Sequence, residues 1–149
     1  MKMSTRGRYA VRAMLDLAIN WGQGPINLKE MSRRQDISVK YLEQIFIPLK
    51  AAALIRSTRG PSGGYTLARA PEQVTLGEII AAIEGPVAIV DCVQQPEKYP
   101  RSQTCVTFDV WKQISEAIST ILDRTTLSLL VARHQAKAGA RPASSKSSK

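Results

Sequence analysis

Residues Arg56 to Leu67 read R-S-T-R-G-P-S-G-G-Y-T-L, and this segment constrains the fold more than any other. Gly60, Gly63 and Gly64 admit positive φ and close backbone approach, while Pro61 fixes one φ, so the middle of the segment is held as a defined bend. Two short strands joined by that bend are predicted, with Arg59 at the tip. A basic hairpin behind a pair of helices is a wing for reading DNA. Taken alone, the same string is also an ordinary turn with solvated arginines, so the residues upstream decide between the two.

Upstream, Val11, Met14, Leu15 and Ala18 recur at helical spacing from Thr5 until Gly22, Gly24 and Pro25 break the pattern. Asn27 precedes Glu30 by three residues, with Ile26 and Met31 placed as a hydrophobic staple, which predicts a short second helix ending near Gln35. Asp36 and Ile37 form a turn. Ser38 then caps a third helix carrying Tyr41, Leu42, Ile45, Phe46 and Leu49 through Ala53. Pro48 lies inside that run, where it kinks the helix or loosens its last turn. A recognition helix reads bases from its N-terminal end, and Ser38, Val39, Lys40, Tyr41 and Gln44 stand there, a set rich in hydrogen-bonding groups.

Downstream of the hairpin, Thr75 with Glu78 forms a second capping signature, with Val74 facing Ile79, and Gly85 with Pro86 ends the helix it starts. Between Pro86 and Val106 runs a polar loop containing Pro96, Pro100, Cys92 and Cys105, too long for a simple connector. Trp111, Ile114, Ile118, Ile121 and Thr125 then follow alternating three- and four-residue steps over a helix of about five turns, an apolar stripe suited to dimerisation. The expected organisation is a DNA-binding domain over 1–85, a cysteine-containing, sensor-like loop over 86–107, a dimerisation helix region over 108–134 and a disordered basic tail over 135–149. The fold class is mainly α with a small β-hairpin wing.

Twenty-one Lys and Arg against twelve Asp and Glu leave a net charge of +9, which suits a polyanionic partner, although charge alone is equally consistent with simple solubility. No stretch approaches the roughly 18 apolar residues of a membrane span, and no signal-peptide core is visible, so a cytoplasmic protein is expected. In a reducing cytosol the two cysteines are packing thiols, a redox pair or metal ligands. An enzyme is disfavoured: there is no paired histidine and nucleophile, no histidine cluster and no phosphate-binding glycine loop before a helix.

Five stretches together resemble one family. They are R-G-R-Y-A-V-R-A-M-L-D-L-A from Arg6, I-S-V-K-Y-L-E-Q-I-F from Ile37, R-G-P-S-G-G-Y-T-L from Arg59, V-T-L-G-E-I-I-A-A-I-E-G from Val74 and C-V-T-F-D-V-W from Cys105. They are similar to the bacterial winged-helix regulators typified by the iron–sulfur cluster regulator IscR, a group that includes NsrR and CymR. The resemblance implies a homodimeric transcription factor on a pseudo-palindromic operator, most simply a repressor of iron–sulfur, sulfur or redox genes. An alternative is a winged-helix interaction module controlled by a partner enzyme docking on the cysteine loop. It further implies DNA contacts by Lys40, Tyr41 and Gln44, a specificity gate at Glu43 able to accept from a cytosine amino group, and a wing contact by Arg59, Gly60, Pro61 and Ser62 in the minor groove.

The cysteine loop departs from that pattern. Cluster-binding members carry three cysteines and a further ligand, commonly a histidine three residues after the last cysteine. Only Cys92 and Cys105 match, and Phe108 stands at the histidine position. A 2Fe–2S cluster needs four ligands, so an unliganded loop is the leading expectation and a cluster would require a substitute such as Asp91, Glu97 or Tyr99 or a group from a second subunit. Any redox response is expected to run through Cys92 and Cys105, with Lys98 and Arg101 favouring a thiolate.

Overall fold

The computed structural model describes residues 2–140. Seven helices and one hairpin follow in the order α1 (Thr5–Ile19), α2 (Leu28–Gln35), α3 (Val39–Ala51), β1 (Ile55–Thr58), β2 (Gly64–Leu67), α4 (Leu76–Glu84), α5 (Asp91–Gln94), α6 (Val106–Arg124) and α7 (Leu127–Ala140), with short 3₁₀ turns at Pro71–Gln73, Pro96–Lys98 and Pro100–Gln103. The early boundaries follow from local capping. Asn27 accepts from the Glu30 amide at 2.8 Å, Ser38 from the Tyr41 amide at 3.1 Å, and Thr75 and Glu78 form a reciprocal capping box. Asp36, left-handed at φ 55°, closes α2 and turns the chain into α3.

The core lies where α1, α3 and α4 meet the hairpin. Ala10, Met14, Leu42, Ile45, Leu49, Val74 and Ile79 are fully buried, and most of them come from helices whose inward positions recur every three or four residues. One polar group joins them: the Asp16 carboxylate on α1 is 3% exposed and accepts from Arg34 Nη2 at 2.7 Å, Arg34 Nε at 3.1 Å and Gln35 Nε2 at 2.9 Å, all on α2. Three donors satisfy a carboxylate that burial would otherwise penalise, and they lock α1 against α2.

β1 and β2 pair antiparallel from Ile55 with Leu67 to Thr58 with Gly64. The sequence pattern missed a third edge. Ile26 forms an antiparallel bridge with Tyr65, its amide donating to the Tyr65 carbonyl at 3.0 Å and its carbonyl accepting from the Tyr65 amide at 2.8 Å. This approach explains Gly64: φ is +155° there, and any Cβ would overlap the Ile26 carbonyl oxygen. Pro48 stays within α3, and its carbonyl accepts from the Ala52 amide at 3.0 Å, so the last turn remains closed although Pro48 has no amide to donate.

The C-terminal half keeps the expected helix of about five turns, α6, and differs from its reading in two ways. The cysteine segment is not an open loop but a chain of single turns around α5. The long helix stops at Arg124: the Leu76 amide donates to the Thr125 carbonyl at 2.8 Å and the Leu127 amide to the Val74 carbonyl at 2.8 Å, a nonlocal bridge that ends α6 at the head of α4. α7 then folds back on α1 and buries Leu127 in the core, so 108–134 spans α6 and the start of α7, and 135–140 is helical where a disordered tail was expected. Positions 141–149, the rest of that tail, lie outside the described residues.

Candidate DNA-binding face and cysteine pocket

The head of α3 and the tip of the hairpin are both exposed, and each carries a cation, Lys40 and Arg59. Lys40, Glu43 and Gln44 are exposed, Val39 is half-buried, and the exposed Ser38 hydroxyl caps the helix. Tyr41 is half-buried: its ring meets Tyr9 edge-on with centroids 5.6 Å apart, while Arg12 of α1 stacks over the other side of the cluster, 5.3 Å from the Tyr9 centroid. Arg12 also donates to the Gln35 carbonyl. The orientation of Tyr41 is therefore set by α1, a role for Tyr9 and Arg12 that no local pattern announces.

Arg59, Gly60, Pro61 and Ser62 are all exposed, and the Gly63 amide donates to the Gly60 carbonyl at 3.0 Å, closing a four-residue turn with Pro61 in its second position. Two contacts fix this turn relative to α3. Lys50 Nζ donates to Ser57 Oγ at 2.8 Å, and Phe46 packs edge-on against Tyr65 with centroids 4.8 Å apart. Lys50 near the end of α3 and Arg56 on β1 are exposed cations as well.

On α6, Trp111 is 39% exposed, Ile114 40% and Ile121 65%, but Ile118 is half-buried and lines an apolar pocket with Ile80, Leu122 and Met3. Thr125 is buried and donates its hydroxyl to the Ile121 carbonyl. The uncovered seam is accordingly rotated from the predicted one and runs through Val106, Val110, Ile114, Ala117 and Ile121. Val106 is 78% exposed and Val110 47%, an apolar surface that water would not leave unpartnered without cost.

Cys92 on α5 and Cys105 at the head of α6 are both half-buried and line one cavity of about 200 Å³ with Arg101, Phe108 and Trp111. Cys105 Sγ lies 3.0 Å from Thr107 Oγ1. That hydroxyl, followed by the Phe108 and Thr107 amides at the start of α6, lowers the Cys105 thiol below its ordinary range against the opposing effects of burial and Asp109. The cause is thus the helix head and not the cations Lys98 and Arg101. Phe108 contributes an amide and an apolar wall where a ligating imidazole was sought. Among the described residues no three His, Cys, Asp or Glu side chains gather as a metal site, so one chain's residues do not fit a four-ligand cluster.

A capped helix presenting polar side chains beside a basic hairpin, on a three-helix core, defines a winged-helix DNA-binding protein. The profile of the Rrf2 family, described as iron-dependent transcriptional regulators, matches residues 3–133, and the chain belongs to that family. It is similar to the HTH-type transcriptional regulator IscR of Sodalis glossinidius, 42% identical over 135 residues that cover 91% of this chain and 81% of that protein. Its fold matches the structure of CymR, the global cysteine regulator of B. subtilis, with TM-score 0.76 and 38% identity over 89% of this chain and 98% of that one. A T. potens IscR structure matches with TM-score 0.78 and 36% identity over 95% and 94%. The protein is a DNA-binding transcriptional regulator. Its relatives are named as regulators rather than enzymes, and they do not favour the partner-controlled interaction module. No helix among the described residues is long and apolar enough to cross a membrane.

Proposed function

We propose that the protein acts in the cytoplasm as a homodimeric repressor that recognises a pseudo-palindromic operator in front of iron–sulfur, sulfur or redox genes. The carrying observation is that Lys40, Glu43 and Gln44 on α3 and Arg59 to Ser62 on the hairpin are all exposed, on two elements tied to each other by Lys50–Ser57 and Phe46–Tyr65. In this reading Ser38, Val39, Lys40, Tyr41 and Gln44 meet bases and phosphates of the major groove, and Glu43 accepts from a cytosine amino group. Arg59 enters the minor groove, where narrow A·T tracts concentrate negative potential. The seam of α6 supplies the dimer interface, which mirrors the operator's symmetry.

DNA affinity in this scheme requires no iron–sulfur cluster, since the reading surface is assembled by capping and packing alone. A gel-shift titration of promoter fragments with wild type and Arg59→Ala tests the proposal. The wild type should retard a palindromic fragment and the variant should bind it at least tenfold more weakly. Equal binding by both, or none by either, refutes it.

A further inference from the structure

The misfit between this cysteine pocket and a cluster leaves two thiols facing one small cavity, and their surroundings are those of a reactive pair. Cys105 sits where α6 begins, its sulfur against the Thr107 hydroxyl. Cys92 lines the same cavity from α5, and the rings of Phe108 and Trp111 line it from α6. Within 90–104 the hydrogen bonds are internal (Val93 to Val90, Gln95 to Asp91, Lys98 to Gln95, Tyr99 to Pro96, Ser102 to Tyr99 and Thr104 to Arg101) apart from one at the end of the segment, where the Cys105 amide donates to the Arg101 carbonyl at 2.8 Å. The part of the segment that carries Cys92 can therefore shift toward α6 while the Cys105–Arg101 bond acts as its pivot, which is what two thiols need to reach the narrow geometry of a disulfide.

We propose that Cys92 and Cys105 of one chain form a reversible disulfide when a hydroperoxide reaches the pocket. The Cys105 thiolate attacks one peroxide oxygen, the O–O bond breaks, two electrons pass from sulfur to oxygen, and hydroxide leaves with a sulfenic acid on Cys105. Cys92 sulfur then attacks the Cys105 sulfur; the S–O bond breaks, and the departing hydroxide takes the Cys92 proton as water. The sum is two thiols and one hydrogen peroxide giving one disulfide and two waters. Thr107 and the first amides of α6 hold Cys105 ready as the attacking group, and Cys92 is the resolving thiol. The chemistry does not depend on the DNA-contact reading, so its test is run without DNA.

Reduced full-length protein is treated with stoichiometric hydrogen peroxide, alkylated with iodoacetamide and analysed by intact mass and peptide mapping. The expected product has lost two hydrogens, resists alkylation and yields a Cys92–Cys105 cross-linked peptide. In a Trp21→Phe background, Trp111 emission from the pocket should fall on oxidation and return with dithiothreitol. Cys92→Ser should leave a sulfenic acid on Cys105 that dimedone captures, whereas Cys105→Ser should leave Cys92 unreacted. A disulfide between two copies, separate sulfinic acids on the two cysteines, or thiols that survive peroxide would each overturn the proposal. So would iron and sulfide near two atoms each per subunit in anaerobically purified protein.

Discussion

Glu43 lies one turn from Lys40 on the exposed head of α3, and a carboxylate in that position lowers general DNA affinity while it can select a base. Glu43→Ala should therefore bind more sites, with about 1–3 kcal/mol less discrimination at one operator position. Selection from a randomised operator pool checks this, and an unchanged preference would make Glu43 a bystander. A different kind of residue is Asp16, whose buried carboxylate collects three donors from α2. Asp16→Ala leaves Gln35 and one edge of the Arg34 guanidinium without their partner, while Glu30 still holds the other edge at 2.8 Å, and should lower unfolding stability by roughly 1–3 kcal/mol, measured by urea denaturation. Tyr41 combines the two roles, since its ring is packed on Tyr9 while its position at the helix head faces outward.

At the scale of elements, the caps were legible because each is a local bargain between a side chain and an amide three residues on: Asn27, Ser38 and Thr75 all sit where their patterns placed them. The third edge of the wing was not legible, because a single bridged residue, Ile26, carries no periodicity. Nor was the rotation of the α6 seam, which Ile118 and Leu122 settle by packing near Ile80, a contact between residues distant in sequence. Gly64→Ala tests the wing's dependence on close approach. A Cβ there meets the Ile26 carbonyl at a φ that disfavours side chains, so the variant should lose about 1–3 kcal/mol in stability and bind the operator more weakly. Glu78 gives the α4 capping box a pH signature. Burial pushes its carboxyl up, but the Thr75 amide and hydroxyl and Arg69 outweigh this and hold it below the ordinary range. Its contribution is present above the ordinary carboxylate pKa and is lost as pH falls through the depressed value in the folded state. Glu78→Gln should flatten that acid limb in thermal melts collected across pH.

For the whole molecule, dimerisation and salt dependence are the measurable consequences. Ile121→Asp, placed on the uncovered seam, should yield monomers by sedimentation and weaken operator binding, whereas Ile118 also packs beside α4 within the same chain and would confuse the two effects. If each subunit neutralises about four phosphates, log affinity against log salt should slope on the order of −7, and a flat response would contradict the electrostatic footprint. The clamp between the end of α6 and the start of α4 carries a mechanical corollary. Leu76 to Thr125, Leu127 to Val74 and the close approach of Gly77 to Asp123 leave little slack at that joint, so the reading head rides on its helix as a blade on a shaft. A 19-residue helix is about 28 Å long, and swinging it through about 10° moves its far end about 5 Å, more than one base-pair step of about 3.4 Å. In the proposed dimer the gauge between half-sites is thus set by the angle at which two shafts cross, and a small change in that angle is enough to put the blades out of step with the DNA.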